Sequence, residues 1–451
     1  MAPAARPASF YNAVWRWHFY AGLFCMPFVI WLALTGSIYL WRPQIEAWLD
    51  RPYDHLATAG PVASPDAQVA AATRAVPGST LHNYILPEAP DRAVRILVTR
   101  DGVDSRVYVD PRSLAVLKVT TEERRPLLVI FHLHGELLAG KVGSYLVEIA
   151  ACWAIVMLLT GLYLWWPRGR RGLAGIFYPR LGAGGRTFWR DIHATAGMWV
   201  SLFALGLILT GLPWAEGWGN YLTGMRQLTG TAEGPADWPI GGTVPKADPT
   251  VGAHAGHVGM AMPHAAYPVG ELDRVIATVR PLAMAPPVLI GPPGKAGAPW
   301  VVASDAADRP QRSELTVDGA TGRLLSRTGF AQKHWIDRSI GYGVAAHEGA
   351  LFGLANQILG TLTALFLIVL AVSGAIMWWR RRPTGLLGAP LPLARPRFRA
   401  GLVAAIVALG VSMPLFGVTL MLVIAAEMMV LRHLSATRRW LGLRASYVSA
   451  T

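Results

Sequence analysis

Two stretches of this chain carry the same residues at the same offsets, and that restricts its fold more than any other feature. HGELLAGKVGSYLVEIAACWAIVMLLTGLYLWWPR starts at His134, and HEGALFGLANQILGTLTALFLIVLAVSGAIMWWRR starts at His347. Counted from the histidine, a hydroxyl–glycine pair falls 26 and 27 residues on in both (Thr160-Gly161, Ser373-Gly374), and a double tryptophan 31 and 32 residues on (Trp165-Trp166, Trp378-Trp379). A second pair of stretches matches in the same way. His18 and His193 each have glycine 4 residues on (Gly22, Gly197) and Thr-Gly at 17 and 18 (Thr35-Gly36, Thr210-Gly211). Repeats of this kind mark an internal duplication, here with four histidines at matched positions.

Each repeated stretch is apolar over a length that crosses a hydrocarbon core of about 30 Å, which takes roughly 20 residues. Phe19–Trp41, Tyr145–Trp166, Ala194–Trp214 and Leu354–Trp379 qualify, and Trp and Tyr crowd their ends as interfacial anchors do. With 53% hydrophobic residues over 451 positions, a polytopic α-helical membrane protein is expected. The net charge of +14 does not point to nucleic acid. Arginine gathers in Arg168–Arg190, Arg380–Arg399 and Arg432–Arg444, short segments beside the spans that read as cytoplasmic by the positive-inside rule. Two long polar loops then lie outside. The N-terminal apolar run reads as an uncleaved anchor. Cys25 and Cys152 both fall inside spans, so no disulfide framework is expected.

The expected organisation runs as follows. A first span covers 13–42, stopped by Pro43, and an external α+β module covers 44–131. A second span with its preceding histidine segment covers 132–166, a basic cytoplasmic loop 167–191 and a third span 192–214. A second external module covers 215–345, a fourth span 346–380 and another basic loop 381–399. The apolar stretch 400–433, broken at Met413-Pro414, fits either a hairpin or one kinked helix, and 434–451 is a cytoplasmic tail. In the first module the pattern predicts a helix over Asp66–Val76 and strands over Ala93–Thr99 and Ser105–Val109. Its last hairpin, RVYVDPRSLAVLK, returns in the second module as SELTVDGATGRLL. The Gly/Pro/Ala-rich stretch Gly217–Pro268 is expected to be largely loop. Each repeat thus supplies an outward helix, a module and an inward helix, so the copies run parallel about a pseudo-twofold along the membrane normal.

In that topology His18 and His193 lie near the cytoplasmic face on equivalent helices, and His134 and His347 near the external face. A twofold axis sets equivalent positions opposite one another, and two opposed neutral imidazoles are what the iron of a six-coordinate b-type haem needs. A lone histidine at a helix end is ordinarily an interfacial polar residue; four at repeat-matched positions, two per face, make the ligand reading. His132 is set aside because its counterpart is Ala345, while His334 and His433 have no repeat partner and read as structural. The absence of C-x-x-C-H argues against covalently attached haem. A separate signal is HAGHVGMAMPH, whose His254, His257, Met260, Met262 and His264 suit copper, though a flexible, compositionally biased loop is the better account of them. Glu427, in the tail stretch, is either an intramembrane carboxylate or an interfacial one. The Thr-Gly and Ser-Gly pairs read as helix-packing sites. Neither a G-x-G-x-x-G nor a Walker motif stands in a strand–helix setting, so electrons would come from another carrier.

With these residues in hand the chain resembles the PepSY-associated transmembrane family, whose members include inner-membrane ferric-siderophore reductases. WRWHFYAG and WRDIHATAG, HLHGELLAG and AAHEGALFG, the closings LTGLYLWWPR and SGAIMWWRR, and the two Val-Asp hairpins carry the resemblance over about residues 10–385. It implies PepSY-like external modules, a bacterial inner-membrane location with a cytoplasmic N-terminus, and two b-type haems on His18, His193, His134 and His347. It also implies electron transfer from a cytosolic donor to a periplasmic ferric-siderophore or other ferric chelate. Two rivals stand beside it: a haem-free regulatory or binding protein, and periplasmic copper handling through the His/Met loop.

Overall fold

A computed structural model describes residues 7–167, 172–231, 267–393 and 400–443. Helix α1 (Pro7–Leu40) ends at Trp41, and α2 (Arg42–Asp50) begins at once. Pro43 does not stop the chain's helicity; it sits in the first turn of α2, where a missing N–H costs nothing. Next come α3 (Pro65–Ala75), β1 (Thr80–Leu86), β2 (Val94–Arg100), β3 (Val103–Val109), β4 (Val116–Thr121) and α4 (Pro126–Glu136). The second half begins with α5 (Gly140–Trp165), α6 (Gly185–Gly211), α7 (Glu216–Leu228) and α8 (Glu271–Val279). It continues through β5 (Val288–Gly291), β6 (Trp300–Ser304), β7 (Ser313–Val317), β8 (Leu324–Gly329), α9 (Trp335–His347) and α10 (Gly353–Arg381). The tail is α11 (Ala400–Ser412), α12 (Pro414–Ala426) with a π-helical turn at Glu427–Leu431, and α13 (Ser435–Leu441).

Among the described residues five helices are long and apolar enough to cross a membrane: Phe10–Leu40, Gly140–Trp165, Gly185–Trp214, Gly353–Arg381 and Pro414–Leu431. Four of them close a ring in which α1 packs on α5, α5 on α6, α6 on α10 and α10 on α1.

The strands between the apolar helices form one antiparallel sheet in the order β4-β3-β2-β1-β5-β6-β7-β8. The two loops therefore share a sheet, joined where Tyr84, Ile85 and Leu86 pair with Ile290, Leu289 and Val288. Period-2 alternation turns Val94, Ile96, Val98, Val107, Val109, Ile290, Val302, Leu315 and Val317 to one face, where α3 and α8 cover them around the fully buried Trp300. The repeated Val-Asp hairpins make the same turn. Asp110 Oδ1 accepts the N–H groups of Arg112 and Ser113, and Asp318 Oδ1 those of Ala320 and Thr321.

At Met413 the tail reverses. A Cβ on Gly417 would lie 3.0 Å from the Gly410 carbonyl oxygen, so α11 and α12 meet as a hairpin through backbone-close glycines. Trp153 Nε1 donates to Thr419 Oγ1 at 3.1 Å and Trp218 Nε1 to the Ser412 carbonyl at 3.1 Å, docking α12 on α5 and α7. Helix α7 also corrects the expectation of loop after Gly217. Glycines 217, 219 and 224 mask a helical face whose Arg226 forms a bidentate ion pair with Asp337 of α9 at 2.6 and 2.7 Å.

Candidate functional site: two facing histidine pairs

His18 lies near one end of α1, and Thr35-Gly36 lie 17 and 18 residues on, about 25 Å along the axis. Helix α5 returns beside α1, so its far end, Thr160-Gly161, meets His18. At the other end α4 brings His134 to Thr35-Gly36. In the other half His193 of α6 meets Ser373-Gly374 of α10, and His347 of α9 meets Thr210-Gly211.

All four imidazoles are held alike. His18 Nδ1 is 3.0 Å from the Met157 carbonyl and 3.2 Å from Thr160 Oγ1; His193 Nδ1 is 3.0 Å from the Leu370 carbonyl and 3.2 Å from Ser373 Oγ. His347 Nδ1 is 2.9 Å from the Leu207 carbonyl and 3.2 Å from Thr210 Oγ1, and His134 Nδ1 is 3.0 Å from Thr35 Oγ1. A carbonyl oxygen only accepts, so Nδ1 carries the proton. The hydroxyls agree, since Thr160, Thr35 and Thr210 each donate to their own helix, at 2.7, 2.9 and 2.7 Å. Each Nε2 is thereby left as an unprotonated donor atom.

Across the ring, the His18 and His193 centroids lie 6.2 Å apart with planes at 79°, and those of His134 and His347 6.3 Å apart at 69°. Two imidazole nitrogens each about 2.0–2.1 Å from one metal, plus a ring radius of about 1.1 Å, separate centroids by roughly 6.3 Å. The spacing of both pairs fits a metal shared between the two rings. A Cβ on Gly161, Gly36 or Gly211 would fall 3.1, 3.0 or 3.0 Å from Cε1 of His18, His134 or His347. Glycine is what lets the Cε1–Nδ1 edge of each of these rings approach the neighbouring helix. Burial, with the His347 ring as a lesser cause, pushes the His134 imidazole down to about 4; burial does the same for His347, so this pair is neutral at ordinary pH.

A family model for the PepSY-associated TM region matches residues 15–381. The chain belongs to that family. No curated protein matches it. With the five apolar helices, membership makes this a multi-pass helical membrane protein.

The other histidines of this PepSY-associated protein point elsewhere. His132 Nδ1 is 3.3 Å from Glu136 Oε2, His334 caps α9 by accepting the Ile336 N–H at 3.3 Å, and His433 Nε2 is 3.2 Å from the Met428 carbonyl. Glu427 pairs with Arg432 at 2.7 Å on the half-exposed tail helix. His254, His257, Met260, Met262 and His264 lie outside the described residues. Among the described residues no three His, Cys, Asp or Glu side chains converge on a metal position, so the histidine pairs are two-donor sites.

The orienting residues Thr35, Thr160, Thr210 and Ser373 are what a reading for packing overlooks. Their signal was reciprocity: the hydroxyl–glycine pair that follows one histidine serves the other histidine of the same half. Asp191 was overlooked as well. Fully buried two residues before His193, it binds Arg180 and Arg190 at 2.7 Å each and pins the start of α6.

Proposed function

We propose that this protein is a transmembrane dihaem reductase. It carries electrons from a cytosolic donor to a ferric-siderophore or other ferric chelate outside a bacterial inner membrane, where iron leaves as Fe(II). One observation carries the reading: two pairs of neutral imidazoles, each with Nδ1 tied back and Nε2 free, face each other at the separation a metal between them requires.

A pair of facing imidazole nitrogens, with no third His, Cys, Asp or Glu converging on it among the described residues, suits b-type haem, which would take two protein nitrogens. His18 and His193 would hold one, and His134 and His347 the other. Bound there, haem supplies one-electron exchange between Fe(III) and Fe(II). The chain fixes the ring orientations, keeps the four nitrogens unprotonated and sets the two sites about 25 Å apart, near opposite faces of a core about 30 Å thick.

The helical ring is read as two copies of an outward helix, external segment and inward helix, related by a pseudo-twofold along the membrane normal. Support comes from the matched histidine cradles and from β1 and β5 meeting at the middle of the sheet. The arginines beside the His18 pair, among them Arg180, Arg190 and Arg381, favour a cytoplasmic position for that end and the N-terminus. The test is an absorption spectrum of the detergent-purified protein, oxidised and dithionite-reduced, with haem quantified per chain. Sharp reduced bands at about two haems per chain are expected. A colourless protein from haem-replete cells overturns the reading in favour of a haem-free regulatory module.

A further inference from the structure

The two contacts between the halves of the helical ring, α1 with α10 and α5 with α6, differ at two matched positions. Fourteen residues after His347 stands Thr361, and 23 after His18 stands Trp41; the counterparts after His134 and His193 are Glu148 and Glu216. At the first contact Trp41 Nε1 donates to Thr361 Oγ1 at 3.0 Å, and Gln44 Nε2 to Gln357 Oε1 at 2.8 Å, a neutral arrangement. At the other, two carboxylates occupy the place.

Glu148 is 2% exposed and Glu216 4%. Glu148 Oε2 accepts the N–H groups of Gly217 and Trp218 at 2.9 and 3.1 Å, at the start of α7. Glu216 Oε1 lies 3.0 Å from Lys141 Nζ and accepts from Asn220 Nδ2 at 3.3 Å. Glu216 Oε2 is buried and has no hydrogen-bond partner among the described residues. The titratable groups bearing on the pair are Lys141 and Cys152 of α5. Cys152, one turn along α5 from Glu148, belongs to an apolar cluster with Leu212, Met413 and Phe416.

Two ionised carboxylates against one half-exposed ammonium leave an uncompensated negative charge in an apolar setting. That cost is relieved by binding a proton. The pair is also close to the external histidines. Trp214, two residues before Glu216, stands edge-on to His347 at 5.5 Å and 90°, and Gly211 touches the same ring. An electron added at that site raises the cost of nearby negative charge in a low dielectric.

We propose that Glu148 and Glu216 form a proton-binding site that takes up one proton when the His134–His347 haem is reduced and releases it on reoxidation. The inference rests on the dihaem reading. One electron arrives from the cytosolic donor, and one proton arrives from external water past the half-exposed Lys141. The buried charge is thus the same before and after, and both leave when the ferric chelate is reduced.

The experiment is redox titration of the holoprotein at several pH values, with reduced-minus-oxidised infrared difference spectra. In the wild type the potential of one haem falls with rising pH, by up to about 59 mV per unit for a one-electron couple. A protonated-carboxyl C=O band appears on reduction. Glu148→Gln and Glu216→Gln keep two haems and lose both signals. Two haems with pH-independent potentials and no carboxyl band overturn the proposal while leaving the dihaem reading intact, as does a band that survives both variants. A haem-free protein overturns the dihaem reading and the coupling with it. If one variant does not fold, the wild-type titration and the other variant still decide.

Discussion

The Nδ1 of His18 lies 3.2 Å from the hydroxyl of Thr160, a residue 142 positions later on the helix that runs back beside it. The same contact recurs for His193 with Ser373, His134 with Thr35 and His347 with Thr210. Each histidine is oriented by the antiparallel neighbour in its own half, and its ring faces a histidine of the other half. Orientation and pairing are therefore divided between two different helix contacts.

From this division follows a pairing rule. His18→Ala and His193→Ala should each remove the same haem, so each leaves about half of the haem absorbance and the double variant loses no more than either single one. His134→Ala and His347→Ala should do the same for the other haem. Such non-additivity marks residues sharing one site. Haem counts per chain after purification check it, and additive loss would overturn the pairing.

The orienting contacts can be removed without touching a ligand. Thr160→Val keeps volume but deletes the hydroxyl, leaving the Met157 carbonyl as sole acceptor for His18. Haem affinity at that site should drop about 10–100-fold, the usual effect of losing a partner behind a ligand. Gly161→Ala should do more damage, because its Cβ would land 3.1 Å from His18 Cε1 and displace the ring itself. Competition with an apo-haem-binding protein measures both.

The sequence made much of this legible, and the exceptions have physical causes. The spans, the helix over Pro65–Ala75 and strands β2 and β3 announce themselves through unbroken periodicity. Strand β1 does not. His82 and Asn83 interrupt its alternation, and the pairing with β2 slips between Leu81 and Asn83. The sharing of one sheet between the two external segments was hidden as well, since strand order across a junction leaves no local pattern. The histidine positions were readable because duplication repeats them. The role of the hydroxyl–glycine pairs was not, because small residues in apolar helices ordinarily signal packing. Glu148 and Glu216 became noticeable only once the repeat was seen to be broken there.

If His134 and His347 hold a haem as proposed, acid should release it late. Burial holds His134 and His347 to about 4, against 6.5 for a free imidazole. Between those values the unfolded chain binds protons that the folded one does not. The stability due to this burial-held neutrality is thus fully present above pH 6.5, declines below it, and is lost as pH falls through 4. The Soret absorbance of that site should stay level from neutral pH to well below 6.5 and collapse near 4. Collapse centred at 6.5 would show that these imidazoles are not shielded.

Trp300 offers a test of the shared sheet. It is fully buried under α8, its Nε1 donates to Glu271 Oε2 at 3.0 Å, and Tyr267 packs edge-on against it at 4.7 Å. Trp300→Ala should cost about 3–5 kcal/mol, since the site is enclosed on both sides and cannot readily collapse onto the missing ring. The strands of both external segments share one core, in which Val94 and Ile96 of β2 lie with Ile290 of β5 and Val302 of β6. Damage at β6 should therefore pass through the β1–β5 seam. Amide hydrogen exchange on the intact protein is expected to show lost protection in β1–β3 as well as in β5–β7. The spectrum of the haem held by His18 and His193, at the far end of the helices, should stay unchanged. Loss of protection that stops at β5 would mean that the two external segments open independently, and that the seam of Tyr84, Ile85 and Leu86 with Ile290, Leu289 and Val288 adds little cooperativity between them.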